Sequence, residues 1–182
     1  DLKEGDLLPE TYFYSREDTR DGVLMRMKEA MDKTLDEAWR KRAAGLPLAN
    51  RREALTLASI VEKETGDARE RALIAGVFAN RLKIGMRLQT DPTVIYGLGE
   101  RFDGNLRRRD LTEDTPFNTY TREGLPPHPI ANPGKAALLA AVNPARTDAL
   151  YFVARGDGTH QFSRSLEEHN RAVGRYQRAG KP

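Results

Sequence analysis

A chain of 182 residues, 38% hydrophobic and 31% charged, is long enough for one domain with a proper core. Its 30 basic and 27 acidic residues leave a net charge of only +3, too balanced to argue for a nucleic-acid partner. Without cysteine it has neither a disulfide framework nor a thiolate metal site. No apolar run approaches the ~18 residues of a membrane span. A chain that begins at Asp1 rather than Met reads as a fragment or processed product, and any anchor is expected upstream.

Asp18 to Ala44 reads as a long amphipathic helix, with Leu24, Met27, Met31, Leu35 and Trp39 recurring at three- and four-residue steps and Gly45 as its stop. A second helix follows Pro47, signposted by Asn50 and Glu53 in capping-box spacing and closed at Gly66. Asp67 and Glu70 are expected to cap a third, which carries Leu73, Ile74, Val77 and Phe78 and ends near Gly85. Residues 86–134 differ in kind. They hold six of the ten prolines, and only a short helical turn is expected, after Asp91-Pro92. A mostly irregular connection of that length usually lines a site. Asn132-Pro133 restarts a helix through Ala137, Leu138, Ala141 and Val142, which stops before Pro144. Leu150-Tyr-Phe-Val-Ala and Thr159-His-Gln-Phe-Ser flank Arg155-Gly-Asp-Gly, a β-hairpin signature, and Ser165 and Glu168 cap a final helix. The expected architecture is one α+β domain over residues 1–182, with a helical core, a small antiparallel hairpin sheet and a long Pro-rich connection lining a cleft.

The second helix carries the most informative residue. At about 100° per residue, Leu57, Ile60, Val61 and Glu64 share one stripe. Glu64 then lies roughly 20° from Leu57, and Glu62 roughly 140° away beside Leu55 and Ser59. Glu64 is thus aimed at the same interior as three aliphatic side chains, where desolvation favours the protonated carboxyl. A glutamic acid kept protonated near neutral pH is what a general acid needs. The alternative is a stripe that ends earlier, with Glu64 bending out to water.

Other constellations carry less. Arg107-Arg108-Arg109 sits among Asp103, Asp110, Glu113 and Asp114, the pattern of a solvated, ion-paired surface rather than a nucleic-acid contact. His128, His160 and His169 lack metal-ligand spacing, so no metal or other cofactor is expected. Arg155-Gly-Asp is turn chemistry. No P-loop, dinucleotide fingerprint or serine-nucleophile elbow is present. What remains is Glu64 and the polar groups of the connection. Gln89 and Thr90 precede Asp91-Pro92, with Asp91 expected as an N-cap. Thr115-Pro-Phe-Asn-Thr-Tyr offers an amide, a phenol and an aromatic face, and Gly124-Leu-Pro-Pro-His-Pro-Ile forms a stiff, extended wall. Amides, hydroxyls and aromatic faces beside one protonated acid suit a sugar chain held for glycosidic cleavage.

These segments also carry a family resemblance. Leu57-Ala-Ser-Ile-Val-Glu-Lys-Glu, Val77-Phe-Ala-Asn-Arg-Leu, Met86-Arg-Leu-Gln-Thr-Asp-Pro-Thr-Val-Ile-Tyr-Gly, Phe117-Asn-Thr-Tyr, Gly124-Leu-Pro-Pro and Leu150-Tyr-Phe-Val closely resemble the YceG-like endolytic murein transglycosylases. The match runs in order from about Glu4 to about Tyr176. It implies an enzyme of the bacterial cell envelope acting within peptidoglycan glycan strands. Such an enzyme forms 1,6-anhydro-muramic ends and terminates nascent strands. The resemblance also implies a periplasmic catalytic domain held at the inner membrane by an N-terminal helix, with peptidoglycan synthases as possible partners. On that resemblance the anchor, and most or all of the LysM-like region that normally follows it, are expected to lie outside this sequence.

The family's catalytic glutamate falls on Glu64, the residue chosen by the stripe, with Glu62 as the fallback. Gln89, Thr90, Asp91 and Asn118 are expected to hold N-acetyl groups and ring hydroxyls, with Tyr96 or Tyr120 as a wall. Two residues depart from the family pattern: Phe117 replaces a common Tyr, and His128 replaces the usual Gly after Pro126-Pro127. Two other readings stay open, a lysozyme-type hydrolase that uses water and a non-catalytic glycan-binding module. A hydrolase wants a second carboxylate, for which Asp91 is the obvious candidate.

Overall fold

The computed structural model describes residues 1–178. Among them are seven α-helices and one two-stranded antiparallel sheet, the expected α+β composition. Helix α1 (Arg20–Arg40) starts at Thr19, whose side chain accepts from Gly22 N, and turns Met31, Leu35 and Ala38 into the core. Helix α2 (Arg51–Glu64) starts where expected. The Asn50 side chain accepts from the backbone N–H of Arg52 and Glu53, and Glu53 reaches back to Ala49 N at 2.7 Å. Helix α3 (Arg71–Lys83) differs at its start, because Glu70 makes no capping bond and Asp67 instead folds the preceding turn onto Arg69 N.

Helix α2 is the centre of the domain. Every residue from Ala54 to Val61 is buried, under α6 (Lys135–Val142), α3, α1 and α4 (Asp91–Leu98). The stripe argument therefore needs correction. The Leu55 and Ser59 side, beside which Glu62 was placed away from the stripe, is covered as well. Ser59 donates to Thr56 O and accepts from Ile130 N, so its hydroxyl is satisfied inside the core. Alanines on α6 allow the close approach to α2. Gly76 on α3 does the same for the segment after α6, since a Cβ there would meet Ala145 O at 2.6 Å.

The connection is more helical than its composition implies. Asp91-Pro92 opens an eight-residue helix, α4, and a five-residue helix, α5 (Arg108–Thr112), follows. Asp110 starts α5 by accepting from Arg107 N at 2.7 Å, and Arg107 pairs with Asp103, so the arginine run is ion-paired surface as expected. The hairpin pairs β1 (Tyr151–Ala154) with β2 (His160–Ser163), Tyr151 opposite Ser163 and Ala154 opposite His160. Gly156 and Gly158 supply the positive φ its turn requires. Ser165 caps α7 (Leu166–Val173), which packs back on both strands.

Candidate active site

The last residue of α2, Glu64, opens into a cleft of about 500 Å³. One wall is the segment Leu88–Asp91 with Tyr120. The other is β1, His160 and the inner face of α7 with His169. Glu64 sits half-buried there, and burial pushes its carboxyl up to about 6, with nearby Asp91 adding to the rise. The Thr90 hydroxyl donates to Glu64 Oε1 and opposes that shift, as do His160 and Arg81. The negative end of the α2 dipole falls at the same carboxyl and disfavours its charged form. Glu64 thus keeps its proton into the mildly acidic range.

Thr90 is fixed from behind. Its N–H donates to Thr119 Oγ1 at 3.1 Å, and Thr93 Oγ1 donates to Thr90 O at 2.7 Å. Gln89 N–H reaches Thr119 O at 3.1 Å, and Gln89 itself sits at φ +50, an unusual conformation for a residue with a Cβ. That backbone leaves its amide side chain exposed on the cleft wall. Arg81, 6% exposed, ties the wall together by donating to the carbonyls of Leu88 (2.7 Å), Arg87 (3.2 Å) and Leu150 (2.6 Å).

The predicted site residues divide into two groups. Glu64, Gln89, Thr90, Asp91 and Tyr120 come together around the cleft. Asp91 is the first residue of α4 and makes no capping bond, contrary to expectation. Its carboxylate is exposed and accepts from the Tyr120 hydroxyl at 2.6 Å. Burial and that bond raise the Tyr120 pKa, so the phenol keeps its proton. Asn118 and Tyr96 lie elsewhere. Asn118 is 0% exposed and spends its amide on the carbonyls of Glu113, Leu111 and Asp110, with Oδ1 accepting from Tyr120 N at 2.8 Å. It positions Tyr120 from inside rather than facing the cleft. Tyr96 packs edge-on against Phe117 and His128 in a separate aromatic cluster. The two unusual family positions, Phe117 and His128, thus meet each other away from Glu64.

The Pro-rich wall is also displaced. Gly124 to Pro127 line a second cavity with Asn50, Arg52 and Glu53 at the opposite end of α2. Glu62, the fallback acid, accepts from Gly134 N at 3.0 Å and thereby starts α6. The pair missed by the sequence is His160 with Glu70, where Glu70 Oε2 lies 2.7 Å from His160 Nδ1 and Oε1 accepts from His160 N. Ninety positions separate them, and only the hairpin's return onto α3 brings them together. Among the described residues no three His, Asp or Glu side chains are grouped to hold a metal ion.

The fold is the expected α+β domain, with a polar cleft at the C-terminal end of its central helix. The model of the YceG-like family matches residues 1–175, and the chain belongs to that family. It is 40% identical over 177 residues to the endolytic murein transglycosylase of Bacillus subtilis, covering 95% of this chain and 48% of that protein. It is 35% identical over 175 residues to the enzyme of the same name from Streptococcus pneumoniae strain D39, covering 93% and 31%. The chain therefore spans about half or less of the length of these curated relatives. A crystal structure of a YceG-like protein from Listeria monocytogenes superposes with a TM-score of 0.78 at 40% identity, over 92% of this chain and 54% of that one.

Proposed function

We propose that this domain carries a lytic transglycosylase centre that cleaves the β-1,4 bond between N-acetylmuramic acid and N-acetylglucosamine inside peptidoglycan strands. The observation that carries the reading is the Glu64 carboxyl, held protonated to about pH 6 in a polar cleft. Glu64 gives its proton to the oxygen leaving C1 as the sugar gains oxocarbenium character. The resulting carboxylate then receives the proton of the muramyl C6 hydroxyl as O6 bonds to C1, which leaves a 1,6-anhydro end and restores the acid. Thr90 holds the carboxyl in aim, and Gln89, at its strained backbone, offers an amide to an N-acetyl group. The names of the B. subtilis and S. pneumoniae relatives support the substrate class and internal cleavage. Such a substrate lies in the cell envelope, and an internal break of this kind ends a growing strand.

Asp91 favours a second reading. Its carboxylate is exposed in the same cleft rather than occupied as an N-cap, so a lysozyme-type hydrolase with water as acceptor has a candidate base. Digestion of uncrosslinked glycan strands in heavy-oxygen water separates the two. Unlabelled anhydro ends are expected. Reducing ends that each carry one heavy oxygen would overturn the transglycosylase reading in favour of hydrolysis.

A further inference from the structure

Beside the acid, the cleft holds one group whose purpose the fold does not explain. Glu70 accepts from the His160 backbone N–H at 2.9 Å, which already fastens β2 to the start of α3. Its other oxygen meets His160 Nδ1 at 2.7 Å. A carboxylate only accepts, so Nδ1 carries a proton, and in the neutral ring Nε2 is the nitrogen with the lone pair. The ring is boxed by Phe152 and Phe162, with centroids 5.4 and 6.4 Å away. Among the described residues Nε2 has no hydrogen-bond partner, yet it is not one of the buried unpartnered atoms, and His160 lines the same cleft as Glu64. This is an imidazole on the cleft wall whose orientation is set by a third group and whose second nitrogen is unpaired among the described residues.

Several other polar side chains around the acid are engaged, while the Gln89 amide is exposed on the cleft wall. The Thr90 hydroxyl donates to Glu64, Tyr120 donates to Asp91, and Arg81 serves three backbone carbonyls. His169 stacks on Tyr151 with its Nδ1 buried. His160 Nε2 is a ring nitrogen on the cleft wall without a partner among the described residues. Internal attack has one stringent requirement, that a flexible hydroxymethyl group hold its oxygen over C1 while water is kept from the same place.

We propose that His160, oriented by Glu70, accepts a hydrogen bond from the muramyl C6 hydroxyl through Nε2 and so selects O6 over water as the group that attacks C1. The step rests on the transglycosylase reading and balances without any added reagent. The C1–O4 bond breaks as Glu64 protonates O4; the O6–H, held on Nε2 up to that point, then turns to the newly formed Glu64 carboxylate and gives it the proton as the C1–O6 bond forms. His160 touches the reacting hydroxyl, and Glu70 is a positioning residue.

The experiment compares wild type, His160→Ala, His160→Phe and Glu70→Gln on uncrosslinked glycan strands in heavy-oxygen water, and measures both the rate and the fraction of labelled reducing ends. His160→Ala keeps the backbone bond to Glu70, and His160→Phe keeps a ring against Phe152 and Phe162, so one of them tests the proposal even if the other folds poorly. With either variant the anhydro-forming rate should fall at least ~10-fold and labelled reducing ends should appear, with Glu70→Gln in between. A wild-type product ratio retained in both variants overturns the proposal, whether or not the rate falls, because a purely structural role would slow the enzyme without redirecting it. Labelled ends from wild type itself would instead defeat the parent reading.

Discussion

Replacing Glu64 by Gln should make the protein more stable at neutral pH while abolishing its activity, and the size of the gain follows from the site. Burial lifts the carboxyl from its model value of 4.5 to about 6. A shift of about 1.5 units corresponds to roughly 2 kcal/mol. The folded state holds its proton more tightly than the unfolded chain, so stability declines with rising pH between those two values. Below about pH 4.5 both states are protonated and the burial penalty is absent; above about pH 6 it is fully present. The Gln variant carries no charge, keeps an oxygen to accept from Thr90, and escapes the penalty. Its advantage over wild type should therefore grow by roughly 2 kcal/mol between about pH 4 and pH 7.5, or ~5 °C in Tm for a domain of this size. Thermal unfolding of both proteins at the two pH values is the assay. An advantage that does not change with pH, or a Gln variant less stable at neutral pH, would refute a desolvated Glu64.

Three further outcomes are expected. Glu64→Gln should lose at least ~10² in cleavage rate, whereas Glu62→Gln, which disturbs only the bond to Gly134 N, should stay within a few-fold of wild type in the same digestion assay. Activity that requires protonated Glu64 falls as pH rises through about 6. In pH–rate profiles, Thr90→Val should move that fall to higher pH and Asp91→Asn to lower pH, because Thr90 lowers and Asp91 raises the carboxyl. Asn118→Ala leaves buried carbonyls and Tyr120 N without a partner and should cost about 2–4 kcal/mol of stability, read from denaturant midpoints.

Local chemistry was legible in the sequence where a few adjacent residues decide the outcome. Asn50 and Ser165 cap the helices they were expected to start, and Gly156 and Gly158 turn the hairpin at the expected place. Glu64 was found by periodicity, but for an incomplete reason. A helix covered on nearly every side has no solvent face, so angle alone does not separate Glu64 from Glu62. What separates them is the neighbour each one meets, Thr90 for one and Gly134 N for the other. Helix α5 was missed because five residues of mostly charged sequence give no period to read. Asn118 and Pro126-Pro127 were assigned to the cleft by composition, yet an amide or a proline wall serves a fold equally well. Only the tertiary course shows Asn118 facing inward and the prolines at the far end of α2. His160 and Glu70 are ninety positions apart, beyond the reach of any local pattern.

The cleft contains two carboxylates in unlike surroundings, and the difference gives each a role. Glu64 is enclosed, at the negative end of a helix, and accepts one hydrogen bond from Thr90. Asp91 is exposed at the first turn of α4, the positive end of its helix, and accepts from the Tyr120 hydroxyl. A charge on Asp91 makes ionisation of Glu64 harder, which keeps the acid loaded. For Asp91 to activate water instead, it would need a free oxygen directed at the far face of the sugar. One of its oxygens is already committed to Tyr120, whose backbone is in turn pinned by the buried Asn118. The chain from Asn118 through Tyr120 to Asp91 thus fixes the Asp91 carboxylate beside the Glu64 carboxyl.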